Sequence, residues 1–207
     1  MTHRSRTGLR TARVAAPVMF LVALPFVAPD HSAAAVPPAL LDIYTEAAGT
    51  ARCDLPHTLL IAIGEIESKH GTVSAADDLV RGQAPGTAVL PVSTPPIVGA
   101  VLDGSNGTAL VDADGDGIAG GEGDRARGMM QILPTTAKDL GINDPGMLQD
   151  VEVSVRTAAA YLCRNGVDTD LHGAILAYNP SQRYLNAVLT AMSRYEALLG
   201  SSTSPAP

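Results

Sequence analysis

The stretch LPHTLLIAIGEIESKHG, Leu55 to Gly71, combines an apolar helical core with a charged end. Pro56 belongs in a first helical turn, and Asp54 just before it is a candidate cap. Leu59, Leu60, Ile63 and Ile66 follow at helical spacing. Gly71 can adopt the left-handed conformation that ends a helix. A helix from about Pro56 to Gly71 is therefore expected, and it carries two carboxylates one residue apart, Glu65 and Glu67.

Residues two apart on a helix point about 200° away from each other, so Glu65 and Glu67 cannot work on one bond. Leu60, Ile63, Gly64 and Glu67 fall at i, i+3, i+4 and i+7, which places Glu67 at the end of an apolar stripe and Glu65 off it. A carboxyl on an apolar face loses hydration, its pKa rises, and it can hold a proton near neutral pH, as a general acid must. The same spacing also fits a carboxylate at the wet end of the helix. Gly64, one turn earlier, leaves room for a ligand or another piece of chain. Ser68, Lys69 and His70 are consecutive and fan outward, so they do not form a nucleophile–base couple.

Elsewhere the pattern is also helical. Pro38–Thr50 spaces Leu40, Leu41, Ile43, Tyr44 and Ala47 along a helix; Thr135–Leu140 is a short helix closed by Gly141; Val151–Cys163, Leu171–Tyr178 and Tyr184–Leu199 follow. Between them, residues 72 to 127 are rich in Gly, Pro, Asp, Ser and Thr and show little periodicity, as a long functional or irregular loop does. Residues 200 to 207 read as a frayed tail. The expectation is an all-α domain over residues 36–200 with one large loop insertion. With no Trp and two Phe, its core must rest on Leu, Ile, Val, Ala and Met.

Residues 1–35 stand apart. Arg4, Arg6, Arg10 and Arg13 precede an apolar run from Val14 to Ala28, and Ala33–Ala35 offers small residues for cleavage. That is the pattern of an export signal; the run is short for a membrane span. An uncleaved anchor is the other reading, and both put the working domain outside the cytoplasm. Without the segment, ten basic residues face twenty acidic ones. Nucleic acid is excluded as a partner on that balance, since no basic stripe exists to displace counterions. The two cysteines, Cys53 and Cys163, are expected to pair outside the cytoplasm.

Three blocks in order, IAIGEIESKHG (Ile61–Gly71), GMMQILPTTA (Gly128–Ala137) and ILAYNP (Ile175–Pro180), resemble the signature blocks of the lytic transglycosylases, whose domain is similar to goose-type lysozyme. The resemblance runs from about Leu40 to Tyr195. The cysteine pair and the insertion LDGSNGTALVDADGDG…DRARG resemble the actinobacterial members. The resemblance implies a lysozyme-like fold and an envelope enzyme acting on peptidoglycan glycan strands as a monomer, without a cofactor, and touching the membrane only through its export signal. It places the single catalytic acid on Glu67 and the small hydroxyl after it on Ser68. Met130 and Gln131 then line the sugar cleft, Tyr178 hydrogen-bonds near the carboxylate, Asn179 forms cleft wall, and Tyr184 is a further cleft tyrosine. It also implies cleavage between N-acetylmuramic acid and N-acetylglucosamine with an anhydro product. A hydrolytic muramidase and a non-catalytic peptidoglycan-binding protein are the alternatives. The chain departs from many relatives in having Thr58 where they have an aromatic residue, and Ile132 where they often have Phe.

The insertion contains Asp112, Asp114, Asp116 and Gly117, the opening of an EF-hand loop, but position twelve is Gly123 rather than a bidentate carboxylate. No metal is therefore assigned, and these three aspartates are weak candidates only.

Overall fold

The computed structural model describes residues 36–71, 96–105 and 107–201. Among them are six α-helices: α1 (Pro38–Gly49), α2 (His57–Ser68), α3 (Pro134–Asp139), α4 (Val151–Arg164), α5 (Leu171–Tyr178) and α6 (Gln182–Ser201). A 3₁₀ turn, Pro145–Gln149, precedes α4, with the Asp144 side chain accepting from the Gly146 N–H. Asp150 then caps α4 by accepting from Val153, and Asp170 caps α5 by accepting from Gly173. No regular strand is found among the described residues; three isolated antiparallel bridges tie Val98 to Arg127, Asp103 to Leu110, and Arg127 to Ile132. The architecture is the all-α one expected. The described part of the insertion, from residue 96, is irregular. The export segment, residues 72–95 and residues 202–207 lie outside the described residues.

α2 is the central element. Its most extensive partner is α6, and it also packs on α1 and α4. Leu59 through Ile63 are all fully buried, so the middle of the helix is covered on every side rather than along one stripe. A 12-residue helix with so little polar surface is held by tertiary packing, not by propensity. Asp54 does not cap it. Pro56 occupies the N-cap position and no side chain bonds there. The C-terminus also comes earlier than expected. The helix stops at Ser68, and Lys69, His70 and Gly71 all take positive φ, at 47°, 61° and 76°. The Lys69 and His70 N–H groups close the end by donating to the carbonyls of Glu65 and Gly64.

The core is more aromatic than the composition suggests. All five tyrosines, Tyr44, Tyr161, Tyr178, Tyr184 and Tyr195, are buried beside the aliphatic residues. Each brings a hydroxyl that needs a partner in the interior. The space beside Gly64 is taken by one of them, because a Cβ at Gly64 would overlap the Tyr44 hydroxyl.

Cys53 and Cys163 form the expected disulfide, with Cα atoms 5.5 Å apart and a sequence separation of 110. It ties the link between α1 and α2 to the last turn of α4. In the chain-entropy model a loop of this length stabilises the fold by about 5 kcal/mol.

Gly64→Ala should lower stability. Helix propensity favours alanine by roughly 1 kcal/mol, whereas overpacking a filled interior costs roughly 1–3 kcal/mol. The added methyl would have to displace a fully buried tyrosine. Denaturant unfolding of the variant is expected to show a lower midpoint; an unchanged or higher one would show that Tyr44 is free to move.

Candidate active site

The end of α2 meets three other parts of the chain: the segment Gly128–Ile132, the C-terminus of α5, and α6. Glu67 is partly accessible there. The Tyr184 hydroxyl, from the first turn of α6, donates to its Oε1 at 2.6 Å. Burial pushes the Glu67 pKa from the ordinary 4.5 up to about 8, against the pull of that hydrogen bond, which favours the anion. The carboxyl thus holds its proton at neutral pH. Glu65 behaves differently. It has a different partner on the same helix, an ion pair with Arg194 of α6.

Tyr178 lies against Tyr184, with ring centroids 6.5 Å apart and planes within 4° of parallel. Its hydroxyl does not reach Glu67; it donates to the Met130 carbonyl at 2.6 Å. The hydrogen bond to the acid therefore comes from Tyr184, while Tyr178 supplies the ring behind it. Tyr161 meets Tyr178 edge-on at 5.5 Å and donates to the Ala177 carbonyl, fixing the last turn of α5.

Ser68 is buried, and both its hydrogen-bonding capacities are used. Its hydroxyl donates to the Met129 carbonyl at 2.7 Å and accepts the Gly71 N–H at 2.8 Å. Met130 is also fully buried, and its N–H donates to the Ser154 hydroxyl of α4. Three hydroxyls, those of Ser68, Tyr178 and Ser154, hold the backbone of Met129 and Met130 in place. Gly128 makes this segment's entry possible: its φ is 72°, and a Cβ there would overlap the Leu148 carbonyl. In this structure Ser68 and Met130 are interior framework rather than open wall. Asn179 is buried too, at the end of α5. Gln131 is partly accessible, has a positive φ of 49°, and folds its side-chain amide back onto the Gly128 carbonyl at 2.9 Å.

Residues 105–196 match the family model of the transglycosylase SLT domain. Over these residues the chain is similar to an SLT domain. The match spans the GMMQILP block, α3 to α5 and most of α6, with Tyr178 and Tyr184 inside it. Neither a curated protein nor a solved structure matches the chain. SLT domains are lysozyme-like and of lytic transglycosylase type, with peptidoglycan as substrate. Glu67 precedes the matched residues, so its assignment stands on the geometry above.

In the insertion, ligand oxygens of Asp112, Asp114 and Asp116 come within 4.8 Å of one another. They already accept loop N–H groups: Asp112 from Gly115 and Gly117, Asp114 from Asp116, Asp116 from Ile118. The carboxylate that organises the loop is another one. Asp124 is fully buried and accepts from the N–H groups of Ala113, Asp114 and Gly121. Counting an EF-hand frame from Asp112 hides it, because it falls one place beyond the twelfth position.

Two outcomes follow from these charges. Between pH 4.5 and about 8 the folded protein keeps the Glu67 proton while the unfolded chain releases it, so Glu67 destabilises the fold increasingly as pH rises through that window. Glu67→Gln should therefore melt like the parent near pH 4 and at a higher temperature above pH 8. A melting difference independent of pH would show that Glu67 titrates normally. In the insertion, the loop's own N–H groups satisfy the three aspartates. Exhaustive chelation is expected to leave cleavage of peptidoglycan intact; loss of activity restored by calcium would show the loop to be a working metal site.

Proposed function

We propose that this protein is an exported lytic transglycosylase that cleaves the β-1,4 bond between N-acetylmuramic acid and N-acetylglucosamine, with Glu67 as its single acid and base. The observation carrying this reading is a partly accessible carboxyl at the end of a buried helix that keeps its proton at neutral pH. Tyr184 occupies Oε1, which leaves Oε2 to bear the proton and face the scissile bond. Glu65, the other carboxylate on the helix, is committed to Arg194 and points elsewhere.

The chemistry needs one carboxyl in two roles. Glu67 first gives its proton to the glycosidic oxygen as the bond from the muramic acid C1 breaks, releasing the 4-hydroxyl of N-acetylglucosamine. The carboxylate then takes the proton of the muramic acid 6-hydroxyl as O6 attacks C1. The product is a 1,6-anhydro sugar, no water is consumed, and Glu67 ends protonated as it began. The 2-acetamido group can stabilise C1 between the two steps, as in substrate-assisted glycosidases. The Tyr184 hydrogen bond favours the anion that forms midway, while burial favours the acid at the start, so the two influences hold the pKa between the needs of each step.

Mass spectrometry of muropeptides released from purified peptidoglycan tests this directly. Anhydro ends are expected. Reducing ends would identify a hydrolytic muramidase, and no new fragments a binding protein. Glu67→Gln should reduce cleavage by roughly 10²–10⁴-fold, the usual weight of positioned general acid–base catalysis. Full activity in that variant would remove Glu67 from the mechanism.

A further inference from the structure

His70 is too far around the turn to take part in chemistry with Ser68, yet it is buried, with only 6% of its surface exposed, and both ring nitrogens are engaged. Nδ1 lies 3.1 Å from the Tyr44 hydroxyl of α1, and Nε2 lies 3.0 Å from the Tyr195 hydroxyl of α6. Both tyrosine rings meet the imidazole edge-on. The Glu65–Arg194 ion pair lies beside them, with the Arg194 guanidinium 5.0 Å from the centroid of the Tyr195 ring. The imidazole thus links α1 to α6 in a hydrogen-bonded chain, Tyr44–His70–Tyr195. In a neutral imidazole one nitrogen donates and the other accepts, so both bonds form without a charge.

This chain holds the turn that follows Glu67. Lys69 and His70 both sit in the left-handed region, where a side chain other than glycine costs roughly 1–2 kcal/mol per residue. Such a turn persists only when its surroundings fix it. The imidazole bonds to α1 and α6 do so. The same end of α2 also meets α6 through the Tyr184–Glu67 hydrogen bond and the Glu65–Arg194 pair. Tyr184 and Tyr195 are eleven residues apart, three helical turns, so they share one face of α6 and converge on the end of α2. Gly64 completes the arrangement, because a side chain there would exclude the Tyr44 hydroxyl.

We propose that His70 is a positioning residue for Glu67: held between Tyr44 and Tyr195, it fixes the last turn of α2 against α6 so that the Glu67 carboxyl stays buried beside Tyr184. The inference rests on the reading of Glu67 as the acid. The charged and titratable groups facing His70 are Tyr44 from α1, Glu65 from α2, and Arg194 and Tyr195 from α6. Burial lowers the His70 pKa to about 4, with Glu65 opposing and Arg194 assisting, so the imidazole is neutral wherever the enzyme works. Loosening the clamp lets water reach Glu67, whose pKa then falls toward that of an ordinary carboxylate.

Tyr195→Phe removes one hydroxyl and keeps the ring; His70→Asn keeps a residue tolerant of the left-handed turn. Both should lower kcat by roughly tenfold to a hundredfold, the scale of a misplaced catalytic group, with KM little changed. The alkaline limb of the pH–rate profile should move to lower pH. A second readout does not depend on activity: the melting difference between each variant and the same variant carrying Glu67→Gln, followed against pH. The pH at which that difference levels off should fall in Tyr195→Phe and His70→Asn, and its final size should shrink, while its onset, set by the unfolded chain, stays where it is. Folded variants with lower melting temperatures, but with the limb and the Glu67 titration unmoved, would reduce His70 to a structural role and overturn the proposal. Should Tyr195→Phe not fold, Tyr44→Phe cuts the other side of the clamp and is read in the same way. If Glu67→Gln retains full activity in the parent, the catalytic reading fails, and the melting comparison still decides whether His70 controls the Glu67 environment.

Discussion

The desolvation of one carboxyl at the end of a helix whose middle is fully buried is the constraint from which the rest of this structure can be understood. α2 has no amphipathic face in its middle, so every neighbouring helix must supply apolar cover for it. Its charged end cannot be covered in that way. The chain therefore surrounds Glu67 with aromatic rings that also carry hydroxyls, and one of these meets the carboxyl. Rings raise the pKa by excluding water; the hydroxyl restrains the rise. Tyr184 supplies both effects in one residue, an apolar ring and a donor hydroxyl.

Holding that carboxyl still is a separate problem, and it is solved with hydrogen bonds from side-chain hydroxyls to backbone. Ser68 reaches Met129, Tyr178 reaches Met130, and Met130 in turn reaches Ser154. Each bond contributes only about 1 kcal/mol net, but each also prevents a buried carbonyl or N–H from going unsatisfied, which costs about 1–3 kcal/mol. The irregular segment beside the acid is thus as tightly specified as a strand would be. An irregular backbone can approach Glu67 from a direction that no helix of this fold offers.

Much of this was legible in the residues. Helices α1, α4 and α5 show their periodicity plainly, and the cysteine pair was expected from an even count together with the expected export. The divergence of Glu65 and Glu67 follows from helical geometry alone. The ends of α2 were not legible. Asp54 has the chemistry of a cap but not the position, because Pro56 already sets the first turn. Gly71 marks the left-handed turn, yet the turn begins two residues earlier, at Lys69, where only tertiary contacts tolerate it. The part that Tyr184 plays was hidden for a related reason. Which hydroxyl reaches the acid depends on how α6 lies on α2, and no local pattern encodes that. The spacing of the tyrosines did carry one unread signal. Tyr184 and Tyr195, three full turns apart, mark a single face of α6, and that face is the one turned toward the site.

The two tyrosines also show why the acid can be both buried and stable. The proton that Glu67 holds at neutral pH reflects an environment hostile to its charge, so the site opposes folding as pH rises. α2 must therefore be secured by contacts that do not share that titration. The Glu65–Arg194 pair and the His70 clamp supply such contacts at the same end of the helix. One end of a helix thus carries two carboxylates with opposite duties. Glu65, paired with a cation, anchors the turn. Glu67, denied one, keeps the proton that the chemistry needs.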